Sequence, residues 1–315
     1  MGAFRTAAIL LNLGLLITGC QTPSTTPTAS HGSHARVEIV GEITANAIPE
    51  ASGMASSLIR KDLLWIVNDS GNPSALHAID TTGAYLGSVR VEGVDNRDWE
   101  DLAAFRLGGT AYLLIADIGD NAAKQDHYTL SIVEEPSTGD SAAIAGSVRP
   151  TGTVRFQYPD GAKDGESVAV VPELNRVYIL TKRTTPPVLY CVDLIPPPGR
   201  TLLMAERVTE VTGLIKPDSG MLPGISENWP FRNQPTAMDI DPRGRRAIVL
   251  TYSDAFLFTK KPWETWMNAF SGTPEAMGLP RLPQGEAICF SFDGRSVFVT
   301  TENLPAPLLR IDVPR

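Results

Sequence analysis

One three-part unit recurs five times along this chain, and a repeat of that kind restricts the fold more than any composition does. Each unit opens on a small or acidic motif leading into an apolar strand, continues with a second strand that ends in polar residues, and closes on a third strand. The openings are EASGMASSLI from Glu50, DWEDLAAF from Asp98, DGESVAVV from Asp164, PTAMDIDP from Pro235 and QGEAICFS from Gln284. The second strands read LLWIVNDSGN (63–72), AYLLIADIGDN (111–121), RVYILTKR (176–183), RAIVLTYSD (246–254) and SVFVTTEN (296–303). SALHAID, YTLSIVEE, PVLYCVD, AFLFTK and PLLRID supply the third. Turn signals such as Arg243-Gly244 and Asp293-Gly294 fall between first and second strands, where a hairpin needs them. A sandwich of short strands would share this local pattern but not one motif at every unit start. The repeat predicts an all-β chain folded as a β-propeller, with five blades rather than six.

The propeller domain is expected over 36–315, about 280 residues. That is slightly long for five blades of about 40 to 50 residues, and the Pro-rich stretch 196–235 accounts for the excess as an insertion. The last unit ends near Ile311 with no residues left for a fourth strand, whereas ARVEIVGEI (35–43) reads as a strand without a blade. Pairing it with the last blade would close the ring and remove two exposed sheet edges. Trp263, Trp266, Met267 and Phe270 have the spacing of one helix face, which predicts a helix over 263–270. Cys191 and Cys289 lie inside apolar strands and are expected as buried free thiols.

A propeller lines its axis with the first strand of each blade, so equivalent residues of the five openings should form a ring. Aligned on the apolar residues that follow, these are Ser52, Glu100, Glu166, Thr236 and Glu286. Three carboxylates converging on one axis repel unless they are protonated, hydrated or neutralised by a cation. A set of oxygen donors without nitrogen or sulfur favours a hard ion, and the loose coordination on offer suits Ca²⁺ better than Mg²⁺. The polar ends of the second strands should share a face with this ring, forming a mouth. They are Asn68, Asp69 and Asn72; Asp117, Asp120 and Asn121; Lys182 and Arg183; Ser253 and Asp254; Glu302 and Asn303. Asx turns account for several of these residues equally well. As a site, the mouth offers Asp69 or Asp120 as a general base, Lys182 and Arg183 as cations for a phosphoryl group, and Trp99 as an aromatic for stacking. The same layout would also bind a ligand or a partner without turnover.

The first residues carry a separate signal. Arg5 precedes an apolar stretch from Ala7 to Ile17, too short for the roughly 20 residues of a membrane span. Ile17-Thr18-Gly19-Cys20 resembles the lipobox of bacterial lipoproteins, which implies a signal peptide over 1–19, cleavage before Cys20 and acylation of that cysteine. Residues 20–35, rich in Ser, Thr and Pro, read as a flexible tether. The partner implied is a membrane, met through lipid on Cys20, and the location is the cell envelope. Gln21 after the lipidated cysteine leans toward an outer membrane. Loss of Arg5 with the leader takes the net charge from −8 to −9, which argues against nucleic acid and anionic membrane surfaces as partners. The absence of CxxC and HExxH motifs argues against zinc.

The series Ser52, Glu100, Glu166, Thr236, Glu286 resembles the calcium-activated nucleotidases (apyrases), in which Ser, Glu, Glu, Ser and Glu from successive blades hold a central Ca²⁺. Local matches are Glu100-Asp101-Leu102-Ala103, Glu166-Ser167 and Glu286-Ala287-Ile288; Thr236 replaces the second Ser and keeps its hydroxyl. The likeness covers one short motif per blade. It implies a central Ca²⁺ and, as an alternative to ligand binding, metal-dependent hydrolysis of phosphoanhydrides or phosphoesters. Across nearly the whole domain the chain resembles bacterial propeller lipoproteins with NDSGN, DWED, DIGDN and QGEA motifs, a likeness that implies the fold and no activity.

Overall fold

Runs of Val, Ile, Leu and aromatic residues bounded by Gly, Pro and Asx turns form strands in this chain, and five small sheets built from them make a five-bladed β-propeller. The computed structural model describes residues 36–138, 143–214, 233–280, 282 and 284–314. The leader, Cys20 and the tether lie outside the described residues, as does much of the expected insertion.

Blade 1 comprises Ala51–Ser56, Leu63–Asn68, Ala75–Asp80 and Tyr85–Val91, and blade 2 Trp99–Leu107, Thr110–Asp117, Tyr128–Glu134 and Gly152–Gln157. Blade 3 holds Gly165–Val171, Arg176–Thr181, Val188–Asp193 and Glu206–Glu210; blade 4 holds Pro235–Ile240, Arg246–Thr251, Ala255–Thr259 and Glu275–Met277. Gly285–Phe290, Ser296–Thr301 and Ala306–Asp312 form blade 5, and Val37–Ile43 completes it, pairing antiparallel with Ala306–Asp312 from Val37 opposite Ile311 to Ile43 opposite Ala306. The ring is closed by the N-terminal strand, as the repeat predicts.

Blades 1 and 2 also carry a fifth, parallel outer strand each, Ile144–Val148 and Leu203–Met204. These and the fourth strands mix exposed with partly buried residues, and Glu206–Glu210 has no buried residue at all, so they lack the continuous apolar run that marks the inner three in sequence. The helix is shorter than its spacing predicts, Trp266–Phe270. Thr265, in extended conformation, caps it by accepting from Asn268 N at 3.2 Å, which starts the helix after Trp263 rather than at it. Trp266 and Phe270 are buried, whereas Trp263 is 80% exposed.

The hydrophobic core lies between blades, in five clusters of which each joins two neighbours; Trp65 and Trp99 belong to the one between blades 1 and 2. Cys191 and Cys289 are buried and free. First strands lead away from the mouth and second strands return to it, so the first-to-second turns, and Arg36 beside the end of Ala306–Asp312, lie at the opposite end.

The innermost strand of each blade has one edge with no ladder partner, and side chains satisfy it. Buried Asp101 accepts from Leu102 N of its own blade at 2.8 Å, Val168 N of blade 3 at 2.8 Å and Met238 N of blade 4 at 3.2 Å. Asp239 accepts from Ile240 N at 2.7 Å and from Phe290 N of blade 5 at 2.8 Å. Ser56 donates to Phe290 O at 2.6 Å across the junction of blades 1 and 5. Opposite Asp101, a Cβ on Gly53 would meet backbone atoms of Asp101 and Leu102 at 2.6 Å, so only glycine lets these strands approach. Below the ring the axis is therefore plugged by protein.

Candidate metal centre

In all five blades the pairing of first with second strand slips by one residue at the same place: between Ala51 and Gly53, Trp99 and Asp101, Gly165 and Ser167, Pro235 and Ala237, Gly285 and Ala287. The skipped residues are Ser52, Glu100, Glu166, Thr236 and Glu286. A bulge leaves its extra residue unpaired and re-aims the side chain. Five equivalent bulges thus mark out the five residues that the motif alignment selects, and all five are buried.

They do not form a symmetric ring of free donors. Ser52 Oγ donates to Trp99 O at 2.6 Å, and Thr236 Oγ1 to Gly285 O at 2.8 Å. Each hydroxyl clasps the residue before the ring glutamate of the next blade, leaving only oxygen lone pairs for another ligand. Lys182 Nζ lies 2.8 Å from Glu166 Oε1 and 5.1 Å above the Tyr252 ring. Burial alone would lower its pKa, but Glu166 and Glu286 outweigh that and hold the ammonium charged. Lys182 therefore belongs to the buried charge cluster rather than to the open mouth, and it serves the side of blades 3 to 5.

On the side of blades 1 to 3 carboxylates crowd together. Oxygens of Asp69, Asp98 and Glu100 lie within 4.8 Å of one another, as do those of Glu100, Asp164 and Glu166, so Glu100 belongs to both groups. Burial, then Glu166 and Asp69, raise Glu100 well above the usual carboxylate range. Glu166 is raised by burial against the pull of Lys182. Burial pushes Asp98 up to about 6, with Asp69 adding to it, and Glu286 up to about 8 despite Lys182. These buried acidic residues could hold a metal ion.

Gly119 makes the crowding sterically possible. A Cβ there would sit 2.1 Å from Glu100 Oε1 and 2.5 Å from Asp98 Oδ2. The DIGDN glycine is thus a cradle for two carboxylates. Asp98 and Asp164 were legible as motif residues but not as site residues. Both stand two before a ring residue, and strand alternation puts i−2 on the same face as i; Glu50 and Gln284 occupy the corresponding places. Gln284 Nε2 donates to Glu286 Oε1 at 2.6 Å and Glu302 Oε2 at 2.9 Å, carrying the network to the rim.

Other mouth residues have their own work. Asp120 accepts from Lys124 N at 2.9 Å, Gln125 N at 2.8 Å and Tyr128 Oη at 2.9 Å. Burial alone would raise its pKa, but these donors lower it, the state of a carboxylate that fixes a loop. Asp117 accepts from Asp98 N at 3.1 Å and pairs with Arg97 at 3.3 Å, orienting the Asp98 loop. Arg183 pairs with Asp164 at 2.6 Å and donates to Asn121 Oδ1, tying blade 3 to blade 2. Asn68 is buried away from the cluster, donating to Ala47 O at 2.9 Å; Asn72 donates to Glu50 Oε2 at 2.7 Å. Asp254 accepts from Ser253 Oγ at 2.8 Å, and Asn303 adopts a left-handed turn conformation with φ 65°. Trp99, expected to stack on a ligand, is 1% exposed in the core and donates its indole N–H to Asp95 O at 3.2 Å. Its place in an apolar cluster between blades corrects that expectation.

No protein-family model and no curated protein matches the chain. Among solved structures it is similar to a 6-phosphogluconolactonase candidate from Bacteroides uniformis, 14% identical over 86% of this chain and 70% of that one, with a TM-score of 0.39. It is also similar to hydrazine synthase from Kuenenia stuttgartiensis, 11% identical over 84% of this chain and 71% of that one, with a TM-score of 0.40.

Proposed function

We propose that the chain is a lipid-anchored propeller of the cell envelope whose acidic mouth holds a divalent cation, Ca²⁺ by donor chemistry, and presents it to a ligand or partner. The observation that carries this reading is the double carboxylate cluster around Glu100, whose pKa is raised by burial and by Glu166 and Asp69, and in which Glu166 and Asp164 have cation partners, Lys182 and Arg183, while Asp69, Asp98 and Glu100 have none among the described residues. Oxygen-only donors from several carboxylates favour Ca²⁺, which accepts more ligands in looser geometry, over Mg²⁺, which demands a tighter octahedron. The ligands are Glu100 and Glu166 with Asp69, Asp98 and Asp164 above them; Ser52 and Thr236 brace the blades that hold them. The same ligand set that satisfies a cation leaves the outward side open to the carboxylate, phosphate or sugar oxygens of a ligand. Isothermal titration of metal-stripped protein with Ca²⁺, repeated in Glu100→Gln, tests the reading, and tight binding retained in the variant would refute this ligand set.

Hydrolysis of phosphoanhydrides or phosphoesters is the second reading. It is favoured by Asp98, which burial raises to about 6 in the metal-free site, so that it is ionised at neutral pH and able to accept a proton from water if it is not itself a ligand. The burial of Trp99 and the pairing of Lys182 count against it. Release of inorganic phosphate from nucleotides in Ca²⁺ or Mg²⁺, abolished in Asp98→Asn, is the result that would establish it. For the anchor, Cys20→Ala should abolish metabolic labelling by fatty acid and release the protein from membranes.

A further inference from the structure

Asp69 reaches the mouth from one blade and Asp98 and Glu100 from the next, so their spacing depends on what ties the two blades together there. Asp69 follows the second strand of blade 1, Leu63–Asn68, whereas Asp98 and Glu100 flank Trp99, where blade 2 begins. The chain passes from blade 1 to blade 2 through residues 92–98. In that connection the half-buried Asn96 turns its amide to both sides. Its Nδ2 donates to Asn68 O at 2.9 Å and to Asp69 O at 2.8 Å, and its Oδ1 accepts from Trp99 N at 3.1 Å. Two carbonyls and one N–H fix which way the amide points. Ser52 ties the blades at Trp99 O, and Asn96 ties them at Trp99 N. One neutral side chain thus grips the main chain at Asp69 and at the residue between Asp98 and Glu100.

Carboxylate oxygens of Asp69, Asp98 and Glu100 lie within 4.8 Å of one another, close enough to push the two blades apart at this point. A lysine at 96 would compete with a cation for these oxygens, and an aspartate would lose both donations and add a fourth charge; asparagine does neither. Gly119 leaves room for Asp98 and Glu100 side by side, and Asn96 sets how far Asp69 stands from them. The bond to Trp99 N, three residues on, is a local turn that serine also makes. The donations to blade 1 span 28 and 27 residues, and a local turn has no use for them. We propose, resting on the cation site put forward above, that Asn96 is the positioning residue of that site. It holds Asp69 against Asp98 and Glu100 so that one ion meets all three.

Two measurements on metal-stripped protein separate the clasp from the turn: isothermal titration with Ca²⁺, and the luminescence lifetime of Tb³⁺, which substitutes for Ca²⁺ and reports how many waters the bound ion keeps. The lifetime comes only from folded, ion-bound molecules, so a loss of stability alone does not move it. Asn96→Ala should weaken Ca²⁺ about 10- to 100-fold, the range for groups that orient metal ligands, and should add water to the bound Tb³⁺. Asn96→Ser, which keeps the turn to Trp99 N but cannot donate to both blade 1 carbonyls, should do the same. In an Asp69→Ala background, where the clasp has no ligand left to place, adding Asn96→Ala should change the affinity less than about twofold. Wild-type affinity and hydration in Asn96→Ser would reduce Asn96 to its turn and overturn the proposal. Unchanged binding in Asn96→Ala, or its full loss repeated in the Asp69→Ala background, would overturn it too. A wild type that binds no Ca²⁺ would overturn the cation site and this role together, whereas a wild type that binds beside an unaffected Asn96→Ala would overturn this role alone.

Discussion

A carboxylate removed from water can keep a proton, pair with an ammonium or hold a metal ion, and the residues around Glu100 show the first two and could do the third. Glu166 has taken Lys182. Glu100, Asp98 and Glu286, without a full share of that charge, are driven toward protonation. Their pKa values in the folded chain stand above those of the unfolded chain, so the folded state binds more protons and loses stability as pH rises. Metal-free protein should therefore be most stable below about pH 4 as far as these groups are concerned, and should lose melting temperature from there upward, until about pH 6 through Asp98 and until about pH 8 through Glu286. Saturating Ca²⁺ should flatten that loss, measured by calorimetry across the range. Lys182→Met leaves Glu166 buried without its partner, a change that typically costs about 3 to 5 kcal/mol; added Ca²⁺ should recover part of it. Gly119→Ala places a methyl group on two ligand oxygens and should weaken Ca²⁺ about 10- to 100-fold, the range for groups that orient metal ligands. An unchanged affinity in Gly119→Ala would mean that Asp98 and Glu100 are not both ligands.

At the level of elements, the three inner strands of each blade were legible because they alternate or run apolar between strong turn signals, and the bulge residues were legible because one motif precedes each run. The fourth strands were not, since their exposure removes the hydrophobic pattern. The direction of the Asn68 and Trp99 side chains was equally hidden: Trp99 sits beside a ring position in sequence yet packs between blades 1 and 2, and Asn68, at a second-strand end, turns to Ala47 and His77. Lys182 read as a mouth cation because nothing local reveals that a long side chain at a strand end folds back onto Glu166. Asp101 and Asp239 carried a signal that only tertiary structure explains, a lone acid inside an otherwise apolar strand, serving N–H groups that have no ladder partner. Deleting residues 36–43 strips the outer strand from blade 5 and exposes the edge of Ala306–Asp312. The loss of stability, read by urea denaturation, should exceed the ~0.5–3 kcal/mol typical of point changes. A loss within that range would mean that the ring holds without its clasp.

For the whole molecule, the propeller gathers carboxylates at one end of its axis, and Asp101 and Asp239 tie blades 2 to 5 together beneath them. Lys182 and Arg183 offset Glu166 and Asp164, whereas Asp69, Asp98 and Glu100 have no cation within ion-pair distance among the described residues. The most direct measurement of that asymmetry is the melting temperature of stripped mature protein with and without Ca²⁺, wild type beside Glu100→Gln. Linkage gives about 2.7 kcal/mol of added stability at 100 times the dissociation constant. The wild type should therefore melt several degrees higher with Ca²⁺, and Glu100→Gln should lose most of that response while melting no lower than the stripped wild type, since it removes a repelling charge. Equal melting of the wild type with and without Ca²⁺, in protein shown to be metal-free, would contradict the account.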